Sequence, residues 1–271
     1  MADDFRFDGR SALVTGAASG IGAATAAWLA ERGMARLVLV DRDEAGLAAL
    51  DLPCEQVSFV GDVADPALWD RLEAEAGPID HAVLNAGISA GGPLAELSFD
   101  DWRKVLSINL DGMFLSLRTA LRLLPDGGSA VLTASVSGLK AEPNTAAYGA
   151  SKAAVIQLAK VAAKEAVPRR IRINAVAPGG VDTPIWDDLP FFQDLVAQTG
   201  SRAAAIDAMA KMATPLARYA TPARDRWPDW LPAVRPGGEH HRHRAGQRRR
   251  LFDLAGSPIG NTRHCELRGS S

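Results

Sequence analysis

Tyr148 and Lys152 stand four residues apart in Tyr148-Gly149-Ala150-Ser151-Lys152, and Ser135 lies thirteen residues before the tyrosine. On a helix this spacing puts the phenol and the ammonium on one face, with Cβ atoms about 5 to 6 Å apart. A neighbouring cation favours the phenolate. A phenol whose ordinary pKa is about 10 then becomes an acid/base usable near neutrality. Alone, such a pair is an ordinary exposed helix pair. It gains meaning because a glycine-rich turn of the kind that binds a dinucleotide opens the chain, and the two parts together describe hydride transfer.

That turn is Thr15-Gly16-Ala17-Ala18-Ser19-Gly20-Ile21-Gly22, between an apolar strand-like run at 11–14 and an Ala-rich helical run at 23–32. A pyrophosphate docks at such a strand-to-helix turn, on the free N–H groups of the helix. Gly16 can take backbone angles closed to other residues, Gly20 lets the main chain approach the phosphates, and Gly22 allows close packing of helix on strand. A second strand, 36–40, ends at Asp41, about 20 residues past the turn, where a carboxylate accepts hydrogen bonds from ribose hydroxyls. The same carboxylate repels a 2′-phosphate, and Ser19 offers no compensating charge. NAD is therefore favoured over NADP. Arg42 is the one side chain that would tolerate the phosphate; its alternative role is a solvated loop charge.

Length and patterning describe the frame around these residues. The chain has 271 residues, 47% of them hydrophobic. Strand candidates at 12–14, 37–40, 57–60, 82–84, 130–134 and 172–175 alternate with helical runs. This predicts an α/β fold, a doubly wound parallel sheet of Rossmann-like type covered by helices on both faces, in one domain through residue 222. Asn109 sits inside an apolar helix expected over 102–124, where Asn is a poor helix former. With no apolar run of 18 residues and no signal peptide, a soluble cytoplasmic protein without membrane association is expected. Cys54 and Cys265 form no disulfide or metal pattern, so no metal is expected. His81, at the start of a strand, reads as structural.

In this order and spacing the motifs resemble the short-chain dehydrogenase/reductase family over roughly residues 7–222. Thr15 to Gly22 matches its coenzyme turn, Asp62-Val63 its adenine-contacting pair, and Asn85-Ala86-Gly87 the motif that ends its fourth strand. Ser135, Tyr148 and Lys152 match its catalytic residues, and Asn109 its active-site asparagine. Pro178-Gly179 with Val181 and Thr183 matches the segment that closes over the nicotinamide. The resemblance implies that Gly16, Ser19, Gly20, Ile21, Gly22, Asp41, Asp62, Val63, Asn85, Ala86, Gly87, Tyr148, Lys152, Pro178, Gly179, Val181 and Thr183 bind the coenzyme. It further implies that Tyr148 exchanges the substrate proton while a hydride moves to or from the nicotinamide. Lys152 would lower the tyrosine pKa and hold the ribose, Ser135 would hold the substrate oxygen, and Asn109 would hold a water in a proton relay.

The expected function is an NAD(H)-dependent oxidoreductase interconverting a secondary alcohol and a ketone of a small apolar or aromatic substrate. The alternative is a catalytically silent nucleotide-sensing protein on the same fold. Intact Ser135, Tyr148 and Lys152 argue against it, because a sensor needs no proton donor.

Helix 148–164 carries more apolar surface than one packed face requires. In the family this helix and the one holding the asparagine form a four-helix bundle across a dimer interface, so the resemblance implies a homo-oligomer, dimer or tetramer. Between 182 and 214, Trp186, Leu189, Phe191, Phe192, Leu195, Met209 and Met212 predict an apolar substrate pocket.

After Pro222 the resemblance stops. Residues 223–271 hold 10 Lys+Arg against 5 Asp+Glu and four of the five histidines, crowded with Gly and Pro. Such crowding without periodicity is typical of disorder rather than of a nucleic-acid or metal site, and no nucleic-acid partner is expected. Back-translated with permitted codons, residues 234–254 read from the second nucleotide yield a string containing Ile-Thr-Gly-Thr-Val-Leu-Val-Ser-Asp-Gly-Gly, then a stop. That is the glycine turn and final strand with which the family ends. Residues 223–271 are therefore expected to be a frame-shifted basic tail, with the family's last strand missing and assembly weakened.

Overall fold

The computed structural model describes residues 6–214 and 216–225. Strands β1 (Ser11–Thr15), β2 (Arg36–Asp41), β3 (Glu55–Val60), β4 (His81–Leu84), β5 (Ser129–Thr133) and β6 (Arg172–Val176) form one sheet in the order β3-β2-β1-β4-β5-β6. All adjacent pairs run parallel. The chain winds one way from β1 and the other way from β4. A crevice therefore opens beyond the carboxyl ends of these two strands, the place where open α/β sheets bind ligands.

Alternation along the strands makes two cores. Ala12, Val14, Leu37 and Leu39 pack with Trp28 and Leu29 of α1 (Gly20–Glu31) and Leu47 of α2 (Glu44–Ala48). Leu13, Val38 and Val40 point the opposite way. They belong to the larger cluster with α3 (Pro66–Glu75) and, beyond α4 (Phe99–Leu106), α5 (Gly112–Leu123) and α6 (Ala146–Glu165). Trp69, Leu117, Val155 and Ala159 fill that side. This is the doubly wound α/β fold expected from the sequence.

The helix expected over 102–124 forms, with a π-bulge inside it. It begins at Phe99, where the Ser98 hydroxyl accepts the Asp101 N–H at 3.0 Å, and a π-turn over Ser107–Asp111 separates α4 from α5. Asn109 lies in that turn. One extra residue per turn reorients its side chain away from a regular helical register.

β5 is buried along its whole length, whereas β6, an edge of the described sheet, is buried only at Ile173. The tail expected to be frame-shifted lies outside the described residues beyond Asp225, where a short helix α9 (Pro222–Asp225) ends. Among the described residues, no helix is long and apolar enough to cross a membrane.

His81 is structural. Its Nδ1 lies 2.8 Å from the Ser129 hydroxyl and its ring meets Phe7 edge-on at 5.5 Å. Burial lowers its pKa from 6.5 to about 4. The unfolded chain takes up this proton near pH 6.5 and the folded chain only near 4, so the neutral ring's stabilisation is full above 6.5 and is lost as pH falls to 4. The loss approaches about 3 kcal/mol. Urea unfolding of the parent and of His81→Gln at pH 7 and pH 4 is expected to show the parent losing more stability than the variant.

Candidate active site

The site begins where β1 and β4 end. The Thr15 hydroxyl accepts the N–H groups of Asn85 and Ala86 at 2.8 and 3.0 Å, tying the two strand ends together. Gly16 follows at φ +66°, its N–H bonded to the Val40 carbonyl at 2.9 Å. Asp41 is fixed beside it, one carboxylate oxygen accepting the Ala18 N–H at 2.9 Å and the other the Asp43 N–H at 3.0 Å. The first turn of α1 lies against the Gly16 carbonyl so closely that a Cβ on Gly22 would stand 1.9 Å from that oxygen.

Helix α1 also differs from its neighbours at its start. Asp43, Asp65 and Ser98 each cap a helix through the side chain, but Ser19 makes no such bond. The N-terminal end of α1 thus keeps its positive end open to the crevice.

The crevice is a cleft of about 680 Å³. Gly16, Ser19, Gly20, Ile21, Asp41, Asp62 and Val63 line the side toward β2 and β3; Asn85, Ala86 and Gly87 line the middle. Ser135, Tyr148, Lys152, Pro178, Gly179 and Val181 line the side toward β5 and β6, and Thr183 reaches across to Gly20. Of the residues expected from the sequence, Asn109 and Gly22 are the two outside this lining.

Asn109 is fully buried. Its Oδ1 accepts the Ile88 N–H at 2.8 Å, and its Nδ2 donates to the Ile88 carbonyl at 2.9 Å and to the Ser151 hydroxyl at 3.1 Å. Ser151 in turn donates to the Tyr148 carbonyl at 2.7 Å. The asparagine side chain therefore clamps the loop after Asn85-Ala86-Gly87 to the first turn of α6. Ile88 and Ser151 were not singled out in the sequence; an amide inside an apolar helix was the only sign that something polar had to meet it.

Ser135 ends the run from β5 and caps the short 3-10 turn Val136–Gly138, its hydroxyl accepting the Ser137 N–H at 3.2 Å. That turn rests directly on α6, since a Cβ on Gly138 would fall 2.6 Å from the Lys152 carbonyl carbon. Contact between turn and helix sets the spacing of Ser135 from the residues on α6.

Lys152 is only 3% exposed, and its Nζ donates to the Thr133 carbonyl at 2.9 Å. Burial lowers its pKa from 10.5 to about 8. The expected lowering of the Tyr148 pKa is not what this geometry produces. Burial holds the phenol above its ordinary value, with a hydrogen bond to Ser135 pulling the other way. The ammonium faces the Thr133 carbonyl and stays 5.8 Å from the Tyr148 ring centre. Desolvation of the phenolate therefore outweighs the cation.

A buried ammonium carries a stability penalty. Between pH 8 and 10.5 the unfolded lysine keeps a proton that the folded one gives up, so stability rises with pH across that window. Lys152→Met is expected to be more stable than the parent below pH 8, by up to about 3 kcal/mol. The gap should close by pH 10.5, as read by urea unfolding at pH 7 and pH 10.

The expectation of an apolar substrate pocket is corrected in part. Residues after Val181 form the 3-10 turn Pro184–Trp186, α7 (Pro190–Thr199) and α8 (Arg202–Ala213). Leu189, Phe192 and Met209 are buried in a separate core with Ala205 and Ile206, and Leu195 packs against it. Phe191 points to solvent. Of the seven apolar residues only Trp186 and Met212 reach the cleft, where Lys140, Glu142, Thr145 and Asp188 join them. The lid needed its apolar residues for its own core.

Arg202 braces this lid. It donates to Asp182 at 2.6 Å, to Asp187 at 2.8 Å and to the Thr183 carbonyl at 3.0 Å.

The chain is similar to known proteins over most of its described length. Residues 16–220 match the family model described as Enoyl-(Acyl carrier protein) reductase. The chain is 42% identical over 194 residues to cis-4-hydroxycyclohexanecarboxylate dehydrogenase of Sinomonas cyclohexanicum, covering 68% of this chain and 78% of that protein. It is 34% identical over 206 residues to the NADP-dependent (R)-specific alcohol dehydrogenase of Lentilactobacillus kefiri, covering 71% and 81%. The crystal structure of levodione reductase matches with a TM-score of 0.68 at 34% identity, covering 80% of this chain and 88% of that one. The family match ends two residues before Pro222, where the resemblance breaks off in the sequence.

Proposed function

The chain belongs to the short-chain dehydrogenase/reductase family, a family of oxidoreductases that bind nicotinamide cofactors, and on that premise we propose that it interconverts a secondary alcohol and a ketone with NAD(H). One observation carries the reading: Ser135, Tyr148 and Lys152 line the same cleft as the uncapped start of α1. The residues fit a dinucleotide. Gly16 and Gly20 hold the turn at φ +66° and +56° with no side chain between main chain and cleft, and the open end of α1 suits a pyrophosphate.

When bound, the coenzyme supplies hydride exchange at the nicotinamide and, in its oxidised form, a positive charge that would favour the phenolate. The chain's own groups do the rest. Tyr148 takes the hydroxyl proton of the alcohol or returns it to the ketone oxygen. Ser135 donates to that oxygen and holds it in place. Lys152, charged at neutral pH with a pKa of about 8, stabilises the phenolate when it forms. Asn109 acts at a distance by fixing the first turn of α6.

NAD over NADP is supported by Asp41, whose carboxylate is held at the end of β2 facing the cleft. Facing a 2′-phosphate with a carboxylate costs several kcal/mol. NADH is expected to be preferred by about 100-fold in kcat/KM, and Asp41→Ser to narrow the gap to about tenfold or less. NADPH used as well as NADH by the parent would reverse the assignment.

A homo-oligomer is also proposed. It is supported by the resemblance, which pairs α5 and α6 across a dimer interface, and by Phe114 on α5 and Val161 on α6, which stay 49% and 43% exposed. Light scattering of the full chain would report the assembly.

The test of the whole reading is the initial rate of NADH formation with a panel of secondary alcohols. Turnover supports it. Tight coenzyme binding with no turnover on any alcohol or ketone would favour a sensor instead.

A further inference from the structure

We infer that the stacked pair Trp186 and Tyr219 selects the substrate of this cleft, and that the substrate carries its reacting alcohol or ketone on an alicyclic ring. The inference rests on the oxidoreductase reading above and deepens it.

The two rings lie 5.6 Å apart between centres and 26° from parallel, and both line the cleft. Their polar handles do not compete for substrate in the same way. The Trp186 indole N–H is committed to the Val181 carbonyl at 2.7 Å, and both rings pack on the lid core as well as line the cleft, so what Trp186 offers a substrate is apolar ring surface. Tyr219 is held by the lack of a side chain at Gly180, where a Cβ would fall 2.1 Å from Cε1 of the tyrosine ring. Any larger residue there would displace it.

Main-chain pairing keeps both rings in register. Val181 bridges Ala220, the Asp182 N–H donates to the Ala220 carbonyl at 2.8 Å, and the Ala220 N–H donates to the Gly180 carbonyl at 3.0 Å. From behind, Arg202 pins the loop through Asp182 and Asp187 on either side of Trp186's turn.

The two rings, held by these contacts and backed by the lid core, form an apolar wall of the cleft. A ring meets it with broad contact and loses no internal rotation on binding, whereas an open chain must freeze several torsions for less contact. The selection is therefore for shape, and it acts through binding before any chemistry.

The test compares cyclohexanol with 2-hexanol, equal in carbon number, on the full chain. Two readouts are taken: kcat/KM with NAD, and affinity for the coenzyme-loaded protein by calorimetry. The parent should favour the ring about tenfold in both. Trp186→Leu, Tyr219→Leu and the milder Gly180→Ala, which only pushes the tyrosine ring aside, should each reduce that ratio to about threefold or less.

A parent without ring preference overturns the inference, as does a preference that survives in all folded variants. Any variant that fails to fold leaves the parent's ratio and the remaining variants to decide. If no alcohol is turned over, the oxidoreductase reading fails, yet the calorimetric ratio still decides whether this wall selects rings.

Discussion

Tyr148→Phe is expected to lower kcat by about 1000-fold, within the range that a positioned general acid/base contributes, while coenzyme affinity stays within about twofold of the parent. The substitution removes one hydroxyl and keeps the ring. The backbone around it is held independently, because the Tyr148 carbonyl is bonded to Ser151 and Ser151 to Asn109. Helix α6 should therefore stay in place, with Lys152 still bonded to Thr133. Loss of rate without loss of coenzyme affinity would mark an interaction made only at the reacting atoms. Steady-state kinetics with a responsive alcohol, paired with NADH fluorescence titration, separates the two quantities. Equal rates in variant and parent would remove the phenol from the chemistry.

The second large effect comes from the other end of the cleft. In Gly22→Ala the added methyl would lie 1.9 Å from the Gly16 carbonyl oxygen and 2.7 Å from its carbon. Both are backbone atoms of the turn, so no side chain can swing away to make room. Either the first turn of α1 tilts off β1 or the Gly16 peptide rotates. Overpacking of this kind costs about 1 to 3 kcal/mol, a fall in Tm of about 3 to 10 °C for a chain of this size. Coenzyme affinity should fall further, by about 100-fold, because the displaced groups are the ones proposed to hold the pyrophosphate. Thermal melts and the same NADH titration check both. A variant that melts and binds like the parent would show that the turn has slack the structure does not contain.

Much of the fold was legible in the chain because each strand is a short apolar run bounded by a turn and followed by a helical stretch. Ser11–Thr15, Arg36–Asp41 and Ser129–Thr133 fall within a residue or two of the runs read from the sequence. Parallel strands buried on both faces have this pattern. The π-bulge at Asn109 was not legible. A π-turn depends on where its side chain finds partners, and those partners, Ile88 and Ser151, are distant in the chain.

The cleft shows the same division. Motif positions brought Ser135, Tyr148 and Lys152 to one wall, as spacing suggested. Their ionisation did not follow from spacing, since the Tyr148 phenol is raised by burial while Lys152 turns to a backbone carbonyl. Nor could composition say which apolar residues of the lid face the substrate. Leu189, Phe192 and Met209 were as plausible as Trp186 until packing buried the first three in the lid core and left Trp186, which packs on that core, also lining the cleft. Gly180 and Tyr219 carried no signal in the sequence at all; the close approach that joins them exists only once residues 180–182 and 219–220 are paired.

The most direct test of the central claim follows an atom rather than a rate. A secondary alcohol deuterated at its carbinol carbon is incubated with the full chain and oxidised coenzyme, and the label is located by NMR. The account predicts deuterium on the reduced nicotinamide ring in proportion to the ketone formed. Ketone formed with the label released to water, or reduced coenzyme free of deuterium, would contradict it.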